Sequence, residues 1–246
     1  MNSMRLTSNF SGPFLFLEED HYTAPDLLHF LHLMLQFRQT YVLSFSSTSS
    51  CNNELSPIRT CPDCLLLTLG SYAKSISFAR NGDKVEVKKW FSSRHNMGLV
   101  FDRDSWSKLC NCAESFCTYD DYNWDWSLQH VSQSCLKAPI KAVIAGVARV
   151  FHMGECGVHH KGKDCYDAAL MNKVQSLLHD SSAYLFPQQV TMVRTGNRNT
   201  KMPKVNGGWS DKRDHILCLS HLDQSMKVTR SNGITMKKSS PLGSTT

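Results

Sequence analysis

An α/β layered fold is what this sequence predicts, and three observations predict it. Short apolar runs of strand length alternate with longer segments of helical periodicity. The chain has 246 residues, enough for one large domain or two small ones, and no internal repeat divides it. With 41% hydrophobic and 10% aromatic residues it can bury a sizeable core, which excludes a disordered chain.

Taken in order, Pro13-Phe-Leu-Phe-Leu17 reads as a short buried strand that Glu18-Glu19-Asp20 ends abruptly. Thr23-Ala-Pro25-Asp26 reads as a helix start, with Thr23 as cap and a proline and an acid in the first turn; residues 27–37 continue the helix. Residues 40–60 enclose a Ser-rich, aperiodic stretch that reads as a flexible insertion. Strands are expected at 64–70, 85–90 and 95–101, and short helices at 102–112 and 123–131. Residues 140–152 form a β-rich apolar stretch leading into a Gly-containing loop at 153–157, and 167–178 reads as a helix. Beyond His221 the chain is mostly Ser, Thr, Lys and Gly, the composition of a disordered tail.

Charge first suggests a nucleic-acid partner, because 27 Lys and Arg outnumber 21 Asp and Glu. Its location argues against one. Residues 194–246 hold ten basic residues against three acids, which leaves 17 against 18 in residues 1–193. The body is nearly neutral and carries no interleaved basic and aromatic stripe, so a nucleic-acid interface is not expected.

Ten cysteines, at 51, 61, 64, 110, 112, 117, 135, 156, 165 and 218, are many for a cytosolic enzyme. They suit the disulfides of an oxidising compartment better than zinc. Cys61-Pro-Asp-Cys64 is a lone CxxC, Cys110-Asn-Cys112 is too tight for a usual zinc half-site, and His159-His160 between Cys156 and Cys165 is poorly spaced. Yet residues 1–12 lack the apolar core of a signal peptide, and the most apolar candidate span, 138–153, carries Lys141 and Arg149. Cysteine usage and N-terminus disagree, and a chain lacking its true N-terminus reconciles them.

Three segments carry chemistry. Glu18, Glu19 and Asp20 follow an apolar strand, the place where open α/β sheets bind ligands, and clustered carboxylates suit a hard divalent cation. The plain alternative is a solvated loop before a helix. Tyr119-Asp-Asp-Tyr-Asn-Trp-Asp-Trp126 packs four aromatics and three acids into eight residues. Aromatic faces stack on sugars and carboxylates accept hydroxyl protons. The alternative is an acidic helix cap, through Asp121 or Asn123, with tryptophans as core anchors. His152 lies just past a strand; with Asp20 it would form a mixed carboxylate and imidazole site that suits Mn²⁺ better than Ca²⁺. No GxGxxG, P-loop, HExxH or GxSxG pattern is present.

Six motifs together resemble one family: residues 14–26 (FLFLEEDHYTAPD), Cys61-Pro-Asp-Cys64, His95-Asn-Met-Gly98, residues 116–126 (FCTYDDYNWDW), residues 151–160 (FHMGECGVHH) and residues 206–215 (NGGWSDKRDH). They are similar, in order, to alpha-1,6-mannosyl-glycoprotein 2-beta-N-acetylglucosaminyltransferases, the N-acetylglucosaminyltransferase II family. The resemblance implies a GT-A fold, a Rossmann-like mixed sheet flanked by helices, of which residues 13–222 would supply only the C-terminal half. It implies a type II Golgi membrane enzyme facing the lumen, which transfers GlcNAc from UDP-GlcNAc to the 2-hydroxyl of the α1,6-arm mannose of N-glycans. Transfer inverts the anomeric centre and requires Mn²⁺. By position, Asp20 and His152 would be metal ligands, Asp125 the catalytic base, and Glu18, Glu19, Asn96 and Trp124 substrate-binding residues. The family pattern also pairs Cys61–Cys64, Cys112–Cys135, Cys117–Cys218 and Cys156–Cys165, leaving Cys51 and Cys110 over.

Departures from the family bear on activity. About twelve atypical leader residues, 1–12, stand where members carry an anchor, a stem and the opening half of the catalytic domain. The 40–60 insertion lengthens a short family loop. Where members carry a substrate-contacting arginine, Gly70-Ser-Tyr72 here leads to Ile76. The rival to an enzyme is therefore an inactive fragment that binds glycans weakly, expected to fold poorly alone, with residues 223–246 a basic disordered tail. For the cysteines, non-reducing peptide mapping is expected to find the four bridges; zinc held by Cys156, Cys165 and His159 would contradict the pairing.

Overall fold

A computed structural model describes residues 10–40, 64–72, 77–120, 123–154, 168–193 and 211–230. The strands are β1 (Phe14–Phe16), β2 (His21–Thr23), β3 (Cys64–Thr68), β4 (Lys84–Lys89), β5 (Leu99–Phe101), β6 (Lys141–Ala145), β7 (Val150–His152) and β8 (Thr191–Val193). The helices are α1 (Leu27–Thr40), α2 (Phe78–Asn81), α3 (Ser92–His95), α4 (Arg103–Cys110), α5 (Ala113–Cys117), α6 (Trp124–Ser134), α7 (Ala168–Asp180) and α8 (Lys212–Arg230). Six strands form one mixed sheet in the order β1-β5-β3-β6-β4-β8, and β2 and β7 form a separate antiparallel pair. This is the mixed α/β architecture the alternation predicts.

Both faces of the sheet are covered, which is why its central strands read as unbroken apolar runs. Along β6, Val143 and Ala145 face the cluster that contains Leu27, Phe30, Leu31 and Met34 of α1. Ala142 and Ile144 face the cluster of Leu109 from α4 and Leu128 and Val131 from α6. The period of two sorts one strand between two layers. β3 departs from strict alternation at a register shift between Cys64 and Leu66, so Leu65 and Leu66 both join the α4 and α6 side. A third apolar cluster seats α7 through Val174 and Leu178 against Phe78 and Phe151.

Several expected boundaries move. Thr23 lies in β2, not at a helix cap, because residues 21–23 pair with 150–152. The strand expected at 95–101 is only Leu99–Phe101, preceded by the short helix α3. His95 ends that helix in the interior. Its Nδ1 accepts from the Phe91 amide at 3.3 Å, and its carbonyl accepts from Trp90 Nε1 at 2.7 Å. Burial, with Lys88 and Arg94 nearby, pulls its pKa down to about 3, so the ring is a neutral structural group. Gly98 then turns the chain at φ +58°, where a Cβ would stand 2.6 Å from Val150 Cγ2. The helix expected at 102–112 is α4, and a further short helix, α5, follows it; Asp102 caps α4 by accepting from the Ser105 amide at 2.7 Å. α8 runs to Arg230, into the stretch read as tail, from a start where Asp211 accepts from the Arg213 amide at 2.9 Å.

Two disulfides brace the helical layer. Cys112–Cys135 closes the α4–α6 side across 23 residues, and Cys117–Cys218 ties α5 to α8 across 101. Both pairings are those the resemblance implies. Cys64 is also disulfide-bonded, while Cys110 is buried. Cys51, Cys61, Cys156 and Cys165 lie outside the described residues, as do most of the leader and insertion and the end of the tail. Among the described residues, no helix is long and apolar enough to cross a membrane.

One buried ion pair joins the layers. Arg149 and Asp26 side chains are both 0% exposed. Arg149 Nε reaches Asp26 Oδ1 at 3.2 Å and its NH2 nitrogen reaches Oδ2 at 3.2 Å. The guanidinium also donates to the carbonyls of Val147 at 3.0 Å and Gly82 at 2.6 Å, and lies 3.9 Å from the centroid of the Phe30 ring. Asp26 Oδ2 further accepts from the Phe186 amide at 3.2 Å. Removing one partner strands a buried charge, so Arg149→Met or Asp26→Asn is expected to cost about 3–5 kcal/mol in urea unfolding. A double replacement, Asp26→Leu with Arg149→Met, should recover part of that loss.

Candidate functional site

Five chain segments converge where β1 ends. The acids do follow an apolar strand, as the sequence reading expects, but that strand is a partly exposed edge and not buried: β1 stops at Phe16, which is exposed, and Glu18, Glu19 and Asp20 fill the turn into β2. β2 pairs with β7 so that His21 stands opposite His152. The Met153 amide donates to the Asp20 carbonyl at 2.9 Å, which fixes this turn against the end of β7. Asn96 caps α3, Asp125 sits in the first turn of α6, and Tyr72 follows β3.

The half that could hold a cation is compact. His152 Nε2 lies 3.2 Å from Asp20 Oδ2. One potential ligand atom from each of Glu18, Asp20 and His21 lies within 4.8 Å of the others. Asp20 Oδ1 is buried without a hydrogen-bond partner among the described residues. Gly154 makes the crowding possible, since a Cβ there would fall 2.1 Å from Asp20 Oδ2. An unpartnered carboxylate oxygen beside a second carboxylate and an imidazole fits a divalent metal ion. His21 fits less well as a ligand. The Glu18 amide donates to His21 Nδ1 at 3.0 Å, so the neutral ring carries its proton on Nε2, 3.6 Å from Glu18 Oε2. Burial lowers the His21 pKa, against the pull of Glu18 and Asp20, and favours that neutral form. His21 thus holds Glu18, and Asp20 with His152 are the better-placed metal donors. Glu19 is exposed and acts on this group through its charge alone.

The second half lies across Glu18. Trp124 Nε1 donates to Glu18 Oε1 at 3.1 Å, and its ring is 41% exposed, open to a ligand. The next residue, Asp125, is buried; its Oδ2 accepts from Asn96 Nδ2 at 3.2 Å and its Oδ1 from the Trp126 amide at 3.0 Å. Asn123 stands at the N-cap of α6, as the cap alternative has it, but its side chain makes no cap bond, and Asp120 receives the Asn123 amide at 2.9 Å. Asp121 lies outside the described residues. Trp124 is not a core anchor.

All the site residues expected from sequence come together here, with Glu19 at the margin. Sequence reasoning missed Tyr72 and the part of His21. Partial burial raises the Tyr72 pKa, the charges of Glu18, Asp125 and Asp20 add to it, and a hydrogen bond with Asn96 opposes it. Its ring centroid is 6.3 Å from that of His152, so it stands between the two halves. A lone tyrosine after a strand carries no local signal of this, although His21 did adjoin the acids. Ile76 lies outside the described residues.

Burial also raises the Asp125 pKa, with the hydrogen bonds from Asn96 and the Trp126 amide pulling the other way. A raised carboxyl pKa means the fold resists ionisation there. Its stabilising contribution is full below the ordinary carboxylate range and is lost as pH rises through the folded value. Asp125→Asn is therefore expected to raise the unfolding midpoint at pH ~7, and to leave it nearly unchanged below pH ~3.5, where both states are protonated. Thermal melts across that range, with an equal gain at both ends, would contradict the burial argument.

A family model described as N-acetylglucosaminyltransferase II (MGAT2) matches residues 1–218. The chain is 41% identical over 218 residues to the alpha-1,6-mannosyl-glycoprotein 2-beta-N-acetylglucosaminyltransferase of Sus scrofa, covering 89% of this chain and 44% of that protein. For the Homo sapiens protein of the same name the identity is 40% over 222 residues, covering 89% and 44%. For that of Arabidopsis thaliana it is 27% over 224 residues, covering 87% and 45%. The chain spans less than half the length of these relatives. A match over most of the chain, at about 40% identity, shows that it belongs to the N-acetylglucosaminyltransferase II family.

Proposed function

We propose that this chain carries the metal, base and acceptor half of an inverting glycosyltransferase. The reaction moves GlcNAc from UDP-GlcNAc to the 2-hydroxyl of the α1,6-arm mannose of an N-glycan. The observation that carries the reading is the meeting of Asp20 and His152 with the buried Asp125 around one Glu18 side chain. Family membership and the names of the relatives support the donor and acceptor.

Asp20 and His152 would hold Mn²⁺, whose chemistry when bound is to neutralise charge on a departing diphosphate. Asp125 accepts the proton of the mannose hydroxyl as that oxygen bonds to the anomeric carbon, while the bond from that carbon to the diphosphate oxygen breaks and UDP leaves. The new bond forms on the face opposite the leaving group, so one displacement inverts the centre and no covalent sugar–enzyme intermediate is needed. Burial supports the role, because a raised pKa makes Asp125 a stronger base. Asn96 restricts the carboxylate to one orientation, and the open face of Trp124 offers a stacking surface for the acceptor sugar. The mixed sheet flanked by helices supports a GT-A fold, and the bridged cysteines support the oxidising lumen of the Golgi, entered behind a type II anchor.

A second reading is a weak glycan binder without activity. Mn²⁺ titration and GlcNAc transfer from UDP-GlcNAc separate the two. Asp20→Asn is expected to lose Mn²⁺ binding. Asp125→Asn should keep it and lose about 10²–10⁴-fold in turnover, the range for a general base. Near-normal turnover by Asp125→Asn would remove the base assignment, and Mn²⁺ binding with no transfer by the unaltered chain would favour the binder.

A further inference from the structure

Glu18, Asn96 and Trp124 line the mouth of a cavity of about 340 Å³ whose apolar depth the transfer chemistry does not use. Its walls are almost wholly apolar: Phe101 from β5, Leu109 from α4, Phe116 from α5 and Leu128 from α6, with Leu222 of α8 closing one side. The Cys117–Cys218 bridge holds α8 against α5 at that side. Trp106 also lines the chamber, and its Nε1 is buried with no hydrogen-bond partner among the described residues. A mannose and its hydroxyls have no use for such a space. A void of this size beside a polar mouth fits a ligand with an apolar body, and an unmet indole donor favours a body that carries an acceptor atom.

We propose that this chamber binds an aromatic ring bearing a hydrogen-bond acceptor, as the aglycone of a glycoside whose sugar stays at the mouth. The ring packs among Phe101, Leu109, Phe116 and Leu128, its acceptor meets Trp106 Nε1, and the sugar lies against Trp124 and Glu18. Only the placement of the sugar rests on the glycosyltransferase reading; the chamber and its ring do not. The proposal extends the acceptor range to aryl mannosides, which bring their own apolar anchor.

Calorimetry on the 246-residue chain tests this with 4-nitrophenyl α-mannoside, methyl α-mannoside and 4-nitrophenol. The aryl mannoside is expected to bind about tenfold or more tightly than the methyl one, and to shift the Trp106 indole N–H resonance, assigned from its loss in Trp106→Phe. Trp106→Phe should cut the aryl preference severalfold and leave methyl mannoside unaffected. Leu128→Trp, which fills the chamber, should abolish the preference. Equal affinity for the two mannosides, or a preference that survives Trp106→Phe, would overturn the proposal even if Leu128→Trp fails to fold. Binding of 4-nitrophenol with a shifted Trp106 resonance, but of neither mannoside, would sustain the chamber and count against the glycosyltransferase reading.

Discussion

The ion pair between Arg149 and Asp26 is the constraint on which the site's geometry depends. Its side-chain bonds join the start of α1 to the loop before β7, while the Arg149 backbone joins two further segments. The Arg149 amide donates to the Leu69 carbonyl at 2.6 Å, just past β3, and its carbonyl accepts from the Ala24 amide at 2.9 Å, just past β2. Asp20, in the turn just before β2, and His152, at the end of β7, lie only a few residues from these anchors. A slip of one residue in that short pair would turn His152 away from Asp20. Three backbone pairings are too few to hold a register alone, so the buried pair and its carbonyl partners supply the missing specificity. Hydrophobic contact alone could not, because it is non-directional.

Around this frame the interior is set against charge, and the site exploits that. His95, whose ring is buried and neutral, accepts at its carbonyl from Trp90 Nε1 at 2.7 Å, which holds the chain on one side of Asn96. The Gly70 amide donates to the Met97 carbonyl at 3.0 Å on the other side. Asn96 is thus fixed from both directions before it reaches Asp125. A carboxylate whose position is determined by the fold would cost no reorganisation in the proposed role of base. The same desolvation makes Asp125 more basic and disfavours its charge, so a cost to the fold becomes a property of the site.

The sequence made much of this legible. The apolar runs at 64–70 and 140–152 place the central strands because both faces are buried, and the acids after Phe16 mark a strand end. Legibility failed where a local pattern was overruled from a distance. Thr23 and Pro25 spell a helix start, but Thr23 pairs with Val150, 127 positions away in sequence. The run from His95 to Phe101 is apolar enough for a strand, yet a buried histidine and a left-handed glycine shorten it. Tyr72 was silent because its meaning lies in three carboxylates brought by other segments. The disulfides were read through family resemblance, since spacing alone leaves too many pairings open.

The Cys117–Cys218 bridge shows why the covalent frame and the chemistry belong together. α8 is a polar helix with Ile216 65% and Leu217 57% exposed, so burial of its own apolar residues does little to hold it. A cross-link over 101 residues removes the loop-closure entropy of a long segment, about 4–5 kcal/mol in the chain-entropy account. That contribution fastens a weakly packed helix to α5. Reduction of the bridge would release α8 from the side of the apolar chamber while leaving Asp20, His152, Asp125 and Asn96 on elements held by the sheet. The geometry of Asp20, His152 and Asp125 therefore depends on the buried ion pair, and the chamber beside it depends on the oxidised cysteines.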